Sequence, residues 1–145
     1  MIKLIIVDDH FHVREAWSWV LNQVPRLSVI AQCANGQEAI EAAKSLQPDV
    51  ILMDINLPGI SGIEAMKILR EYPPTTHIPI IALSANAMQR DIEKGLEAGF
   101  FRYLTKPIKI NEFINALNDA LKFSEIELGD TIKMDKYDDK RTRHS

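Results

Sequence analysis

Short apolar runs alternate with segments of helical periodicity along most of this chain, and this alternation constrains its fold most. Five runs have the length and β-branched content of strands: Ile2–Val7, Ser28–Cys33, Val50–Met53, Ile78–Leu83 and Phe101–Leu104. Nearly continuous apolar strands that alternate with helices are typical of a parallel sheet covered on both faces. The pattern therefore predicts a doubly wound α/β fold, in which ligands bind beyond the carboxyl ends of the strands.

Helical spacing predicts five helices, one after each strand. The first carries its apolar residues on one stripe, formed by Val13, Trp17, Val20, Leu21 and Val24. The other helices are expected over about residues 35–46, 62–71, 86–97 and 110–122. Asn35 is the expected N-cap of the second helix, because asparagine side chains accept hydrogen bonds from amides of the first turn.

Three helices have faces that matter for binding. At 100° per residue, Trp19 points roughly 130° away from the apolar stripe of the first helix, so we expect it at the surface. Most residues of the apolar stripes on the fourth and fifth helices are expected in the core, which is the usual place of such stripes. These residues are Met88, Ile92 and Leu96 on the fourth helix, and Ile110, Phe113, Ile114, Leu117 and Leu121 on the fifth.

The composition indicates one globular domain in a reducing compartment. The 145 residues are 46% hydrophobic and 26% charged with a formal net charge of −3, so no basic surface for nucleic acid is expected. The apolar run Leu4–Val7 is too short for a signal peptide, and no later run approaches a membrane span. The single cysteine, Cys33, is expected in the core. We therefore expect a cytoplasmic protein.

The pattern changes at about residue 123. Residues 123–145 hold many alternating charges, few apolar residues and no helical stripe, and they include the basic run Lys140-Arg141-Thr142-Arg143-His144. Such a composition is typical of a solvated tail or linker. The expected organisation is a domain over residues 1–122, followed by a charged, flexible tail or linker fragment over residues 123–145.

Polar side chains close the predicted strands. They are Asp8 and Asp9 after the first strand, Asp54 after the third, Ser84 after the fourth, and Thr105, Lys106 and Pro107 after the fifth. Because the carboxyl ends of parallel strands meet at one edge of a sheet, we expect these groups to form one pocket. Taken singly, each aspartate also fits a helix cap or a turn.

Three carboxylates in one pocket require a compensating charge. At a separation of about 5 Å and an effective dielectric of about 20, each pair repels by about 3 kcal/mol. Oxygen ligands on a hydrated rim suit a hard divalent cation, with Mg²⁺ as the default. Mg²⁺ and a lysine neutralise a phosphoryl group in transfer, and a carboxylate attacks phosphorus to give an acyl phosphate. No histidine or further carboxylate is expected as a general base, which favours a lasting phosphoaspartate.

Four blocks of the sequence resemble the response regulator receiver domain of two-component signalling. They are Asp8-Asp9, the segment 54–62 (Asp-Ile-Asn-Leu-Pro-Gly-Ile-Ser-Gly), Ser84-Ala85 and Lys106-Pro107. The resemblance covers residues 1 to about 122. It implies a flavodoxin-like fold with a five-stranded parallel sheet of order 2-1-3-4-5. It also implies a phosphoacceptor switch that catalyses only its own phosphorylation and slow dephosphorylation.

The resemblance implies a role for each residue of the pocket. Asp54 is the expected phosphoacceptor, and a histidine kinase or a histidine phosphotransfer protein is the expected donor. The implied ligands of Mg²⁺ are Asp8, Asp9, Asp54 and the backbone carbonyl of Asn56. The remaining implied roles are phosphoryl contact by Ser84 and Lys106, switching by Ser84 and Tyr103, modulation of phosphate loss by Asn56 and Asn86, and a cis peptide before Pro107.

The resemblance also bears on partners. It places the docking of histidine-bearing helices on the first helix, where Phe11 and Trp19 are candidate anchors. Subfamilies that dimerise through helices four and five use basic residues there, but the fifth helix of this chain has no arginine. That dimer is therefore not expected, and a phosphorylation-dependent homodimer of another kind stays an alternative.

Other functions are alternatives to this reading. A haloacid dehalogenase-like phosphatase uses similar groups, but it needs a second acid two residues after the nucleophile, where this chain has Asn56. Within the receiver family, Asp8-Asp9-His10 resembles regulators that carry a helix-turn-helix DNA-binding domain, whereas the segment 83–87 resembles receivers of relays and hybrid kinases. The chain itself is not expected to bind nucleic acid or membrane, and its output stays open.

Overall fold

The structure, a computed structural model, describes residues 1–86 and 88–123 and has a sheet of five parallel strands at its centre. The strands are β1 (Ile2–Val7), β2 (Leu27–Cys33), β3 (Val50–Asp54), β4 (Ile80–Ser84) and β5 (Arg102–Thr105). They pair in the order β2-β1-β3-β4-β5. This arrangement confirms the doubly wound fold, and it confirms the strand order that the family resemblance implies.

Five α-helices alternate with the strands. They are α1 (Phe11–Asn22), α2 (Gly36–Leu46), α3 (Gly62–Glu71), α4 (Gln89–Ala98) and α5 (Ile110–Phe123), with a short 3-10 helix at Pro73–Thr75. The side chains of Asn35 and Ser61 cap α2 and α3, and the cap at Asn35 is as predicted. Helix α4 begins later than predicted, because the side chain of Asn86 accepts a hydrogen bond from the Met88 amide and closes a turn ahead of the helix.

The sheet separates two hydrophobic clusters, because neighbouring residues of a strand face opposite sides. On one side, Leu4 of β1 shares a cluster with Leu21 of α1 and Phe113 of α5. On the other side, Ile5 of β1 shares a cluster with residues of α2 and α3, among them Met66. All of these side chains are fully buried. Both faces of the sheet are therefore covered, as the continuous apolar strands predict.

Helix α1 buries less of its apolar stripe than the sequence predicts. Val13 and Val20 are each 38% exposed, whereas Leu21 is fully buried and Trp17 is partly buried against the core. The helix packs mainly against β2 at the edge of the sheet, so only a narrow face of it is covered. Trp19 lies at the surface, as predicted, with 68% of its area exposed.

Helix α4 departs further from its expected burial. Met88 and Leu96 are 56% and 43% exposed, whereas Phe113, Ile114, Leu117 and Leu121 of α5 are buried, so the expectation of buried stripes holds for α5 and fails for α4. The helix approaches the sheet through Gly95, where a methyl group would lie 2.7 Å from Cδ2 of Tyr103. Because backbone makes this contact, the apolar side chains on either side of Gly95 remain outside the core.

Arg70 of α3 joins the end of α4 to the amino edge of the sheet. Its Nε and Nη2 atoms both donate hydrogen bonds to the carbonyl of Gly99, at 3.3 and 3.0 Å. Its Nη1 atom donates to the carbonyl of Ile78, just before β4, at 2.7 Å. One guanidinium thus connects three segments at the edge opposite the predicted pocket.

The ends of the described chain limit what the fold says about the tail. Helix α5 ends at Phe123, one residue beyond the predicted domain boundary, and the rest of the predicted tail, residues 124–145, lies outside the described residues. No helix in the described ranges is long and apolar enough to cross a membrane. Cys33 is 3% exposed, as predicted, and burial raises the pKa of its thiol to about 11.

The start of α3 lies directly against the end of β3. The amide of Gly62 donates to the carbonyl of Ile55 at 2.9 Å. A methyl group on Gly62 would overlap the carbonyl oxygen of Asp54 and come within 2.8 Å of the Ile55 Cα atom. Both are backbone atoms that cannot turn aside. The missing side chain of Gly62 therefore lets α3 hold the strand end that carries Asp54.

We expect Gly62→Ala to lower the free energy of unfolding, measured by urea denaturation, by about 2 kcal/mol, because the added methyl group overpacks a fixed backbone. Gly59→Ala is the matched control, since its methyl group would meet nothing within 4 Å and its φ is +77°. The free energy of unfolding of that variant should fall by only about 1 kcal/mol, because alanine is disfavoured in a left-handed backbone conformation. Equal losses in the two variants would contradict the role given to Gly62.

Candidate functional site

Carboxylates gather at the carboxyl edge of the sheet. Asp8 and Asp9 follow β1, and Asp54 closes β3, which pairs with β1 so that Val7 stands beside Met53. Each of the three aspartates and His10 offers one ligand atom, and these atoms all lie within 4.8 Å of one another. The pocket that the strand ends predict therefore exists for its acidic members.

Lys106 brings a positive charge to this cluster from the end of β5. Its Nζ atom lies 2.8 Å from Oδ2 of Asp54 and 3.5 Å from Oδ2 of Asp8. Its amide donates to the carbonyl of Ser84 at 2.8 Å, and its peptide bond to Pro107 is cis. Burial lowers the pKa of the Lys106 ammonium, but the hydrogen bonds and charges of Asp54 and Asp8 together outweigh burial, so that this pKa is raised.

The ion pair does not fully compensate the buried aspartates. Burial raises the pKa of Asp54, and the hydrogen bonds from Lys106 and from the Asn56 amide only partly oppose that rise. Asp8 is 2% exposed, and its Oδ2 atom receives no hydrogen bond from the described residues. An under-compensated cluster of carboxylate oxygens fits a hard divalent cation such as Mg²⁺.

Both buried aspartates also stabilise the turns that follow them. Oδ1 of Asp8 accepts a hydrogen bond from the His10 amide at 2.8 Å, and Oδ1 of Asp54 accepts one from the Asn56 amide at 3.0 Å. His10 occupies the N-cap position of α1, and no side chain caps that helix. Turn formation and a place in the pocket are thus combined in the same residues, while helix capping by Asp8 or Asp9 is not observed.

Ser84, Asn86 and Tyr103 form a second group beside the carboxylates. The hydroxyl of Ser84 accepts a hydrogen bond from the Asn86 amide at 3.0 Å, and the carbonyl of Asn86 accepts one from the Tyr103 hydroxyl at 3.3 Å. The side chain of Asn86 donates to Oδ2 of Asp91 in α4 at 2.7 Å. A cavity of about 230 Å³ borders Ser84, Gly95 and Tyr103. The loop between β4 and α4 therefore connects the hydroxyl, the aromatic ring and the helix.

The structure places two residues in the site that the sequence does not predict there. His10 lies with its Nδ1 atom 3.2 Å from Oδ1 of both Asp8 and Asp9, so a histidine borders the pocket although the sequence predicts none there as a general base. The extended backbone of His10, with φ −90° and ψ 107°, turns its ring back onto the carboxylates. Arg14 donates from Nη1 to the carbonyl of Asp8 at 2.7 Å. Their positions in the sequence could have pointed to both residues, since His10 directly follows two acids and Arg14 lies one helical turn later.

The candidate docking residues are both exposed side chains of α1. Phe11 and Trp19 are 56% and 68% exposed, and both belong to α1, which begins immediately after the cluster. The guanidinium of Arg14 lies 5.5 Å from the centre of the Phe11 ring. These positions leave both aromatic side chains accessible.

Comparisons with known proteins agree on one family. The chain matches the family model for the response regulator receiver domain over residues 4–118. It is similar to the transcriptional regulatory protein LnrK of Bacillus subtilis strain 168, with 38% identity over 117 residues that cover 81% of this chain and 52% of that protein. It is also similar to protein-glutamate methylesterase/protein-glutamine glutaminase 1 of Syntrophus aciditrophicus strain SB, with 40% identity over 110 residues, 74% of this chain and 31% of that protein.

A solved structure supports the same assignment. The receiver domain of the Francisella response regulator 1452 has a TM-score of 0.77 and 28% identity, with 86% of this chain and 99% of that chain covered. The chain spans about half the length, or less, of the curated relatives described above.

We expect Asp54→Asn to stabilise the metal-free protein at neutral pH by on the order of 1 kcal/mol. Because the folded state raises the pKa of Asp54 from its ordinary value of 3.8, the folded protein loses stability as the pH rises through that range and the carboxyl ionises. Removing the charge removes this loss. Urea denaturation with and without Mg²⁺ measures the effect, and the gain should shrink with Mg²⁺, which stabilises only the carboxylate form.

Asp49→Asn is the control for that measurement. Its carboxylate accepts a hydrogen bond from the Lys3 amide at 2.7 Å, far from the cluster. This variant should show no gain in stability, and Mg²⁺ should affect its stability as it affects that of the wild type. A loss of stability in metal-free Asp54→Asn would mean that the pair with Lys106 outweighs the burial of the carboxylate.

Proposed function

The chain belongs to the response regulator receiver domain family, and we propose that Asp54 is the residue on which it accepts a phosphoryl group. Receiver domains are phosphoacceptor switches of two-component signalling. The observation that carries the assignment of Asp54 is its place in the carboxylate cluster with the Lys106 ammonium 2.8 Å from its Oδ2 atom. The same family match gives no support to the alternative of a haloacid dehalogenase-like phosphatase.

The site residues divide the work of phosphoryl transfer among them. Asp8, Asp9 and Asp54, with the backbone carbonyl of Asn56, would hold Mg²⁺, which supplies positive charge for the equatorial phosphoryl oxygens. A carboxylate oxygen of Asp54 attacks phosphorus, the bond from phosphorus to the donor's imidazole nitrogen breaks, and an acyl phosphate results. Lys106, whose Nζ atom lies 2.8 Å from Oδ2 of Asp54, would contact a phosphoryl oxygen.

Ser84 and Tyr103 are proposed to transmit the change. The hydroxyl of Ser84 accepts from the Asn86 amide, so its own proton is free to be donated to a phosphoryl oxygen. Tyr103 holds the Asn86 carbonyl from the other side of the loop, and the cavity of about 230 Å³ next to it gives its ring space to turn. Movement of this loop would alter the start of α4, which is the exposed surface available to a partner.

Membership of the family supports a proposal for the partners and the location. We propose a histidine kinase or a histidine phosphotransfer protein as donor, a cytoplasmic setting, and no catalysis beyond phosphorylation and slow dephosphorylation of Asp54. One relative is named a methylesterase, but the chain covers only 31% of it, so that activity is not carried over. Control of transcription, favoured by the name of LnrK, and phosphate relay are the two alternatives for the output of the whole protein.

We expect acetyl phosphate to add one phosphoryl group to the wild type, and only in the presence of Mg²⁺. Asp54→Asn should lose the adduct completely, because an amide is not a nucleophile toward phosphorus. Asp49→Asn, at the other edge of the sheet, should keep it. Intact-protein mass spectrometry and peptide mapping measure the adduct. A Mg²⁺-independent adduct, or one on another residue, would contradict the assignment.

We expect Asn86→Ala to change the rate at which phosphate is lost by a few-fold, because an amide at this position orients water without deprotonating it. Its side chain also bonds Asp91, so Asp91→Ala is the necessary control: it removes the same hydrogen bond and leaves Asn86 in place. The measurement is the decay of phosphorylated protein after the donor is removed. If both variants behave alike, Asn86 acts only through the loop and the proposed role is withdrawn.

We expect Trp19→Ala to slow phosphotransfer from the cognate histidine donor about thirtyfold, since a buried aromatic anchor commonly contributes about 2 kcal/mol to an interface. Phosphorylation by acetyl phosphate should be unchanged. Ile68→Ala removes an exposed apolar side chain, 40% exposed, from α3 and should affect neither reaction. Equal slowing of both reactions by Trp19→Ala would rule out a docking role.

A further inference from the structure

We propose, building on the function proposed above, that His10 supplies a nitrogen ligand to the carboxylate site and makes it selective for late first-row divalent ions. The imidazole would then raise the affinity of the site for Co²⁺ and Zn²⁺ above that of a site made of carboxylates alone. It would not raise the affinity for Mg²⁺ in the same way. The observation behind this assignment is the equal distance of 3.2 Å from Nδ1 of His10 to Oδ1 of Asp8 and to Oδ1 of Asp9.

These distances suit shared coordination. Co²⁺ and Zn²⁺ bind imidazole nitrogen and carboxylate oxygen at about 2.0–2.2 Å, so neighbouring ligands of an octahedral ion stand about 3 Å apart. Nδ1 of His10 stands at nearly that distance from two carboxylate oxygens at once. All four ligand atoms of the cluster, including one of Asp54, lie within 4.8 Å of one another. The imidazole therefore needs little movement to join the carboxylates around one ion.

The backbone holds the ring in this position. The amide of His10 donates to Oδ1 of Asp8 at 2.8 Å, and its carbonyl accepts the Arg14 amide at 3.0 Å, which is the first bond of α1. Both backbone groups of His10 are therefore used, one by the cluster and one by the helix. The side chain is 66% exposed, so an ion reaches the ring from solvent.

A separate observation points to a ligand in the same place. Asp8 has only 2% of its area exposed, and its Oδ2 atom receives no hydrogen bond from the described residues. The nearest cation, Nζ of Lys106, stands 3.5 Å from that oxygen and 2.8 Å from Asp54. A buried carboxylate oxygen in this state is stabilised by a bound cation.

Nitrogen changes which cation is preferred. Carboxylate, carbonyl and water oxygens suit Mg²⁺, whereas imidazole suits Zn²⁺ and other late first-row ions. The affinity of a mixed site rises along the series from Mn²⁺ through Co²⁺ to Cu²⁺. A single imidazole beside three carboxylates therefore strengthens Co²⁺ and Zn²⁺ binding and leaves Mg²⁺ binding nearly unchanged.

A different role for His10 makes the opposite prediction. If the ring only donates a hydrogen bond to the two carboxylates, then every cation must displace it. Removal of the ring would then strengthen Mg²⁺, Co²⁺ and Zn²⁺ binding by similar factors. If the ring is a ligand, its removal weakens Co²⁺ and Zn²⁺ selectively. The ratio of affinities thus separates the two roles.

The experiment is calorimetric titration of the tag-free protein with Mg²⁺, Co²⁺ and Zn²⁺ at one fixed pH. We expect His10→Phe to lower Co²⁺ and Zn²⁺ affinity about tenfold or more and to change Mg²⁺ affinity by less than about twofold. His12→Phe is the matched control: its ring contacts Phe11 and lies outside the cluster, and it should behave as wild type. If His10→Phe folds poorly, His10→Ala replaces it.

Imidazole nitrogen NMR gives a second readout that does not depend on affinity. Zn²⁺ should shift the Nδ1 resonance of His10 and leave that of His12 in place. An unchanged ratio of Zn²⁺ to Mg²⁺ affinity in His10→Phe, or a shift of His12 in place of His10, overturns the proposal. Phosphorylation of Asp54 with Mg²⁺ is measured on the same samples, so failure of the proposed function is distinguished from failure of this metal preference.

Discussion

The contact between Lys106 and the buried aspartates is the interaction on which the rest of the site depends. It reaches from the end of β5 to the ends of β3 and β1, and so crosses β4, which lies between β5 and β3 in the sheet. One ammonium cannot balance three carboxylates, and burial raises the pKa of Asp54 because it disfavours the charged form. The protein therefore keeps a strained charge distribution at the edge of the sheet, and a cation or a phosphoryl group with its cation relieves that strain.

The loop between β4 and α4 carries this electrostatic state outward. Its backbone at Asn86 contacts the hydroxyl of Ser84 with the amide and the hydroxyl of Tyr103 with the carbonyl. The side chain of Asn86 donates a hydrogen bond to Asp91 on the first turn of α4. A single residue thus joins the pocket, the aromatic ring and the helix. A rearrangement of Ser84, such as the one proposed on phosphorylation, would disturb the whole connection.

Much of the fold and of the site could be predicted from the sequence, because strand ends are local features and parallel topology brings them together. That reasoning places Asp8, Asp54 and Lys106 in one pocket without a structure. It fails for His10, since the direction of that ring depends on the backbone dihedrals of one loop residue. It fails for α4 as well, because helical periodicity assumes packing through side chains, and this helix packs through Gly95.

Arg70 gives α4 a fixed end. The guanidinium holds the carbonyl of Gly99, directly after the helix, with two donors, and it holds Ile78 with a third. A helix of ten residues is about 15 Å long, so a tilt of about 10° around that end moves its first turn by about 2–3 Å. Such a tilt would make α4 a lever that pivots at Gly99. It would move Met88, just ahead of the helix, most, and the far end of the helix almost not at all.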